Sequence, residues 1–275
     1  MVKIGVFKCG NIGTAPLLEL LLDELADRKD LTVRTLTTGS KMDVEAVEDS
    51  IGKIFEFNLD LVLFVSPNTS APGPAKAREM LSKKKVPTIV FTDAPGRRVK
   101  TEMEQQGLGY IIITGDPLIG ARKEFLDPTE MAIFNANVIK ILASTGVFRS
   151  AVQEIDELID ATKAGGSLSL PRLIIDTDSI RDSLTFRNPY ARAKAMAAYE
   201  ILKKVAEINV QACFVEKEKE KYIPLVACAH ELVQASAGLA EEAREIEKCG
   251  DTLLRTPHSK EGRLKTKDRL LLSPE

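Results

Sequence analysis

Along the first half of the chain, short apolar runs and longer stretches of helical spacing take turns. The apolar runs fall near Lys3 to Lys8, Thr32 to Thr37, Asp60 to Ser66, Pro87 to Thr92 and Gly109 to Thr114. Strands alternating with helices in this way predict an α/β fold, a parallel sheet with helices on both faces of the Rossmann or flavodoxin type. Leu61 to Val65 and Tyr110 to Ile113 are continuously apolar, as strands buried on both faces are. Each run ends in polar or helix-breaking residues: Ser66-Pro67-Asn68-Thr69, Thr92-Asp93-Ala94-Pro95-Gly96 and Thr114-Gly115-Asp116-Pro117. These ends are expected to share one edge of the sheet, the edge at which open α/β folds bind ligands.

From Asp127 onward the rhythm becomes mainly helical. Asp127-Pro128-Thr129-Glu130 combines a capping residue, a proline at the first helical position and a glutamate at the third, so a helix is expected from there through Met131 to about Ala143. A second helix is expected from Ala151 to Ala164, ended by Gly165-Gly166-Ser167, and a strand over Arg172 to Asp176. Asn188-Pro189 opens an alanine-rich helix, and Pro224 to Lys248 fits a last long one with Gly250 as its stop. Thr252 to Leu272 alternates weakly around Lys260-Glu261-Gly262 and predicts a β-hairpin docked on its own domain or on a neighbouring subunit. The alternating charges of Glu216 to Lys221 read as a solvated connector. The expected division is an α/β ligand-binding part over 1–126, a helical part over 127–250 and the terminal hairpin over 251–275.

The first strand runs directly into Lys8-Cys9-Gly10-Asn11-Ile12-Gly13-Thr14, a glycine-punctuated turn that presents backbone N–H groups at a helix start. Lys8 stands where a dinucleotide fingerprint has its first glycine. The second strand ends in Thr37-Thr38-Gly39-Ser40-Lys41, without the acid that would anchor an adenosine ribose. Both departures point away from an ordinary NAD enzyme.

Composition narrows the field further. The 275 residues carry a net charge of -2, which marks neither a nucleic-acid binder nor a membrane-surface binder. No continuous apolar run reaches the roughly 18 residues that span a bilayer, and no signal-peptide pattern opens the chain, so a soluble cytoplasmic protein is expected. Cys9, Cys213, Cys228 and Cys249 form no C-x-x-C pair and read as reduced thiols. With only His230 and His258 present, neither with an evident catalytic partner, no metal is expected. Asp176 and Asp178 lack a third ligand and read as capping by Asp178 or as surface carboxylates.

Taken in order, several stretches resemble the coenzyme F420-dependent methylenetetrahydromethanopterin dehydrogenases of archaea. They are Lys8 to Thr14, Leu21-Leu22-Asp23-Glu24, Ser66-Pro67-Asn68, Gly115 to Arg122, Phe125 to Met131 and Arg187-Asn188-Pro189-Tyr190-Ala191, which together span essentially the whole length. The resemblance implies reversible hydride transfer between the deazaflavin coenzyme F420 and the one-carbon unit of a tetrahydropterin, a step of methanogenesis or its reverse. It also implies a dissociable co-substrate with no prosthetic group, and a homo-oligomer, typically a hexamer built as a trimer of dimers.

On this reading Lys8, Cys9, Gly10, Asn11, Ile12, Gly13, Thr14, Ser66, Pro67 and Asn68 are candidates for holding F420. The N–H groups of the turn and the Thr14 hydroxyl would contact the deazaflavin or its phosphate; the alternative is that the glycines only permit a tight turn and close packing. Thr69, Arg122, Arg187 and Tyr190 are candidates for the pterin substrate, and Lys8, Lys41, Arg97, Arg98, Arg122 and Arg187 for the anionic tails. Asp93 and Asp116 could stabilise the positive charge created when hydride leaves, or simply cap and turn the chain. Cys9, although a helix start could lower its pKa, reads as a wall residue. The rival readings are an NAD(P)-dependent dehydrogenase and a non-catalytic flavodoxin-like nucleotide-binding module.

Overall fold

β1 (Val2–Lys8) enters the centre of the sheet and sends its side chains alternately to two different cores: Val2, Ile4 and Val6 to one, Phe7 to the other. After it come α1 (Thr14–Leu22), β2 (Leu31–Thr37), α2 (Val44–Ile54), β3 (Leu61–Val65), α3 (Pro72–Lys84), β4 (Thr88–Thr92), α4 (Lys100–Gln105) and β5 (Gly109–Ile113). The second half adds α5 (Pro128–Ser144), α6 (Val147–Lys163), β6 (Arg172–Ile175), α7 (Thr177–Ser183), α8 (Pro189–Val210) and α9 (Lys219–Cys249). This computed structural model describes residues 1–119, 122–166 and 168–275. Gly120 and Ala121 of the Gly115 to Arg122 motif, and Ser167 of the expected helix stop, lie outside the described residues.

All neighbouring strands pair in parallel, in the order β2-β1-β3-β4-β5-β6. The order is that of the flavodoxin type, and the chain reverses its winding between β1 and β3, which makes their carboxyl ends the switch point of the sheet. The unbroken apolar runs follow from the two cores. Leu61, Leu63 and Val65 of β3 and Ile111 and Ile113 of β5 join the core that includes α1, α5, α6, α8 and α9; Val62, Phe64 and Ile112 join the one beneath α2 and α3. Burying an aliphatic side chain of this size is worth about 1.5–3 kcal/mol, so a polar substitution on either face is costly.

The second half is not detached from this sheet. β6 pairs with β5, and side chains of α5, α6, α8 and α9 share one core with β1, β3 and β5, so no break in the core marks position 126. Asp127 caps α5 through the Glu130 N–H at 2.8 Å with Pro128 at its start, as the motif implies. Between α5 and α6 the chain turns at Gly146, whose φ of +81° suits glycine, and α6 begins at Val147 rather than at Ala151. Asp176, not Asp178, caps α7, in a box closed by Ser179, while Asp178 pairs with Arg181.

α9 starts at Lys219, so the expected connector Glu216 to Lys221 supplies part of its first turn, and Pro224 sits within the helix close to its start. An 18-residue window of α9 reaches a mean hydropathy of 1.3, apolar enough to cross a membrane by composition. Its apolar stripe, Ala229, Val233, Ala237, Ala240 and Ala243, is instead buried in the bundle with α5 and α8. The expected terminal hairpin is reduced to two antiparallel bridges, Arg255 with Lys267 and His258 with Leu264. What fixes that segment is His258, buried between Glu24 at 2.8 Å and Asp156 at 2.9 Å.

Candidate active site

At the switch point three loops close on one another. The Cys9 N–H donates to the Val65 carbonyl at 2.9 Å and the Gly10 N–H to Gly39 at 3.1 Å. Gly10 has φ +87°, and a Cβ there would lie 2.9 Å from both Met42 Sδ and Pro67 Cδ, so only glycine lets the loops after β1, β2 and β3 meet. Arg78, buried within α3, fixes the third loop by donating to the Thr69 carbonyl at 3.1 Å.

The α1 N-terminus is already occupied. The Asp116 carboxylate accepts the Gly13 N–H at 2.7 Å, the Thr14 N–H at 2.9 Å and the Thr14 hydroxyl. The expectation that Gly13 and Thr14 offer these donors to a ligand phosphate is therefore corrected: an internal carboxylate holds the place an anion would take. A Cβ on Gly13 would also meet Val138 at 2.5 Å, so this glycine serves packing of α1 on α5. Asn11 and Ile12, in contrast, have backbone N–H groups with no partner among the described residues. Cys9 is buried, and burial pushes its thiol up to about 11, the opposite of activation by a helix start.

Asp93 and Asp116 follow adjacent strands and are both buried. Burial raises Asp116 to about 6 against its three donors, so it remains mostly ionised at neutral pH. Burial, and then the neighbouring Asp116 charge, hold Asp93 well above the usual carboxylate range; its Ala94 N–H partner at 2.6 Å does not offset them.

Asp93 also lines a cleft of about 580 Å³ beyond β4, β5 and β6, walled by α8 and bordered by Arg97, Arg98, Asp176 and Lys203. Thr114 lines it and is backed by the buried Tyr199 of α8, whose phenol donates to the Ile175 carbonyl at 3.1 Å and lies 3.2 Å from the Thr114 hydroxyl. Along the same edge the buried hydroxyls of Ser66, Thr69 and Thr92 have no hydrogen-bond partner among the described residues. Buried hydroxyls rarely stay unpaired unless something else completes them. Lys8, Lys41 and Arg98 likewise have no carboxylate partner among the described residues. A flat polar molecule with an anionic tail fits this set of groups. Among the described residues no group of His, Cys, Asp or Glu is placed to hold a metal.

The profile of the family described as methylene-5,6,7,8-tetrahydromethanopterin dehydrogenase matches residues 2–275. The chain belongs to this family. The F420-dependent methylenetetrahydromethanopterin dehydrogenases of Methanothermobacter thermautotrophicus and Methanocaldococcus jannaschii are 55% identical over 275 residues and 53% over 276, with all of each chain covered. That of Archaeoglobus fulgidus is 51% identical over 275 residues, again with full coverage. A solved structure of an F420-dependent methylene-tetrahydromethanopterin dehydrogenase, in complex with methylene-tetrahydromethanopterin and coenzyme F420, matches with a TM-score of 0.96 at 48% identity over the whole of both chains. The family expected from the sequence motifs is thus the family shown.

Not every candidate residue of the dehydrogenase motif set reaches this edge within the chain. Arg122 donates to the Ala212 carbonyl at 2.9 and 3.1 Å and to Glu216 at 3.0 Å, and stacks over Tyr222 at 4.2 Å. Its Nε and Nη2 secure the π-helical turn 211–215 that follows α8. Arg187 pairs with Asp268 at 2.5 Å, beside the terminal segment. Tyr190, exposed, starts α8 about 20 Å along the helix axis from Lys203.

Three residues that act here went unnoticed in the sequence. Arg78 reads there as one more helix-face cation, Tyr199 as a core aromatic, and Asn209 as a polar residue in an apolar stretch. Asn209 donates to the Leu118 carbonyl at 2.7 Å and thereby ties the Gly115 to Ile119 loop to α8.

Proposed function

We infer that the chain is an oxidoreductase that transfers hydride reversibly between 5,10-methylenetetrahydromethanopterin and coenzyme F420 along the carboxyl edge of β1, β3, β4 and β5. Family membership over residues 2–275 supports the reaction. The observation that supports the place is the row of unpaired buried hydroxyls, Ser66, Thr69 and Thr92, beside the free N–H groups of Asn11 and Ile12. When bound, F420 supplies the two-electron acceptor or donor for the one-carbon unit.

The chain's own work is positioning. Ser66, Thr69 and Thr92 orient flat rings by hydrogen bonds, Pro67, Asn68, Gly10 and Cys9 shape the wall, and Lys8, Lys41 and Arg98 meet anionic tails. Asp116 holds α1 against the loop after β5, so the two sides of the site keep their separation. Asp93 lines the cleft beside Arg97 and Arg98. Holding two reactants in register and excluding water can lower a barrier by about 7 kcal/mol or more. No step requires a nucleophile, which accords with Cys9 being an inert thiol.

The same reading makes the protein a cytoplasmic homo-oligomer, a hexamer built as a trimer of dimers. Exposed apolar side chains at Tyr190, Phe214, Val215 and Leu270 to Leu272 are surfaces that assembly would cover. The purified protein is mixed with methylenetetrahydromethanopterin and either F420 or NAD(P), and absorbance is followed. Turnover with F420 is expected. Reduction of NAD(P) alone would overturn the reading, and binding without turnover would favour a non-catalytic module.

A further inference from the structure

At the opposite end of the bundle a second cavity, of about 180 Å³, lies where the α5–α6 turn meets the entry to α8 and the terminal segment. Phe148, Leu184, Phe186 and Leu253 supply apolar wall, and Thr185 and Thr256 supply hydroxyls. Two cations border it, Arg149 of α6 and Arg244 of α9, and no carboxylate does. Neither guanidinium has a hydrogen-bond acceptor or an ion-pair partner among the described residues. Its lining shares no residue with the cleft beneath α8, so the two are separate.

A partly buried guanidinium without an acceptor is unusual, because an arginine that gives up water normally regains it in bonds to an anion or to carbonyls. Elsewhere in this molecule the rule holds: the buried Arg28 pairs with Asp30, the buried Arg78 with Glu102, and Arg122 with the carbonyls already described. Arg149 departs from it, and burial alone, with no opposing partner, depresses its pKa. A second arginine, Arg244, lines the same cavity. An oxyanion between the two would offset the desolvation of Arg149.

We propose that this cavity binds a compact oxyanion, a phosphate or carboxylate on a short apolar body, between Arg149 and Arg244. Bound there, the ligand would tie α6, α9, the α7–α8 link and the terminal segment together without touching the reacting edge.

Isothermal titration of the full-length protein with inorganic phosphate, and separately with butyrate, at fixed ionic strength in chloride buffer tests this. Saturable binding of one probe per chain is expected. Replacing both arginines (R149M with R244M) is expected to weaken it by about tenfold or more, while R149K with R244K retains most of it, since removing charge-assisted bonds is what matters. The kcat/KM with F420 stays unchanged in both variants. Equal binding by the wild type and the methionine variant, or no saturable binding of either probe by the wild type, overturns the proposal. So does a loss of oligomeric mass in the methionine variant when the wild type binds neither probe, because a second copy's carboxylate would then occupy the cavity. Should the methionine variant fail to fold, the wild-type titration decides by itself.

Discussion

The carboxyl edge of the sheet and the docked terminal segment treat polar groups in opposite ways. Around His258 the charges are matched: its ring bridges Glu24 and Asp156, Asp30 receives Arg28 and Lys163, and Lys260 pairs with Asp27. At the carboxyl edge Ser66, Thr69 and Thr92 are buried without partners, and Lys8, Lys41 and Arg98 face no acid. Folding alone accounts for the first arrangement, since each buried charge there is compensated. It does not account for the three hydroxyls of the second, whose desolvation has no return until another molecule supplies it. Matched charges hold the terminal segment in place, whereas the unmatched hydroxyls lie at the edge where substrate binding is proposed.

Asp116 is the exception at the edge, being matched there, and substituting it is expected to have the largest effect. Asp116→Ala strands two N–H groups and a hydroxyl in a buried place, for a loss of about 3 kcal/mol or more in chemical denaturation, accompanied by loss of activity. A loss below about 1 kcal/mol would mean that the α1 N-terminus is open to ligand after all.

His258→Leu comes next. Its two carboxylate partners raise the folded imidazole pKa above the ordinary 6.5. A raised histidine contributes its full stabilisation below the unfolded value and loses it as pH rises through the folded value. The variant is therefore expected to be less stable than wild type by about 3 kcal/mol near pH 6, with the difference shrinking as pH is raised well above that value. Denaturation midpoints across this range check the sign, and activity with F420 per folded molecule is expected to be unaffected. A smaller effect is expected behind the cleft, where Tyr199→Phe removes a buried phenol bonded to Ile175 and costs about 1 kcal/mol.

The sharpest contrast involves the smallest change in stability. Ser66→Ala and Thr92→Val delete hydroxyls that have no partner, so both are expected to leave stability within about 0.5 kcal/mol of wild type or to raise it. The same variants are expected to raise the KM for F420 or for the pterin severalfold. Unchanged Michaelis constants together with reduced stability would reverse the roles assigned to the two regions.

How much of this could be read from the chain depended on how local the signal was. The strands were legible because double-sided burial leaves unbroken apolar runs, and α5 because Asp127, Pro128 and Glu130 lie side by side. Asp116 was noticed, but its partners Gly13 and Thr14 are about a hundred positions away, so its role as a cap was hidden. His258 lacked a visible partner for the same reason, with Glu24 and Asp156 brought to it only by the fold. Arg122 was misleading in a different way. It was a candidate for an anionic tail, yet backbone carbonyls of Ala212 and Glu216 take its Nε and Nη2 donors. The terminal segment alternates like a hairpin but is held by side-chain charges, which a strand pattern does not encode.

Amide hydrogen exchange of the full-length protein with and without F420 tests the central claim most directly. The account predicts slower exchange in the loops over 8–14, 37–43, 66–71 and 92–98, and no change over 251–275. Protection confined to the terminal segment, with those four loops exchanging as before, would contradict it.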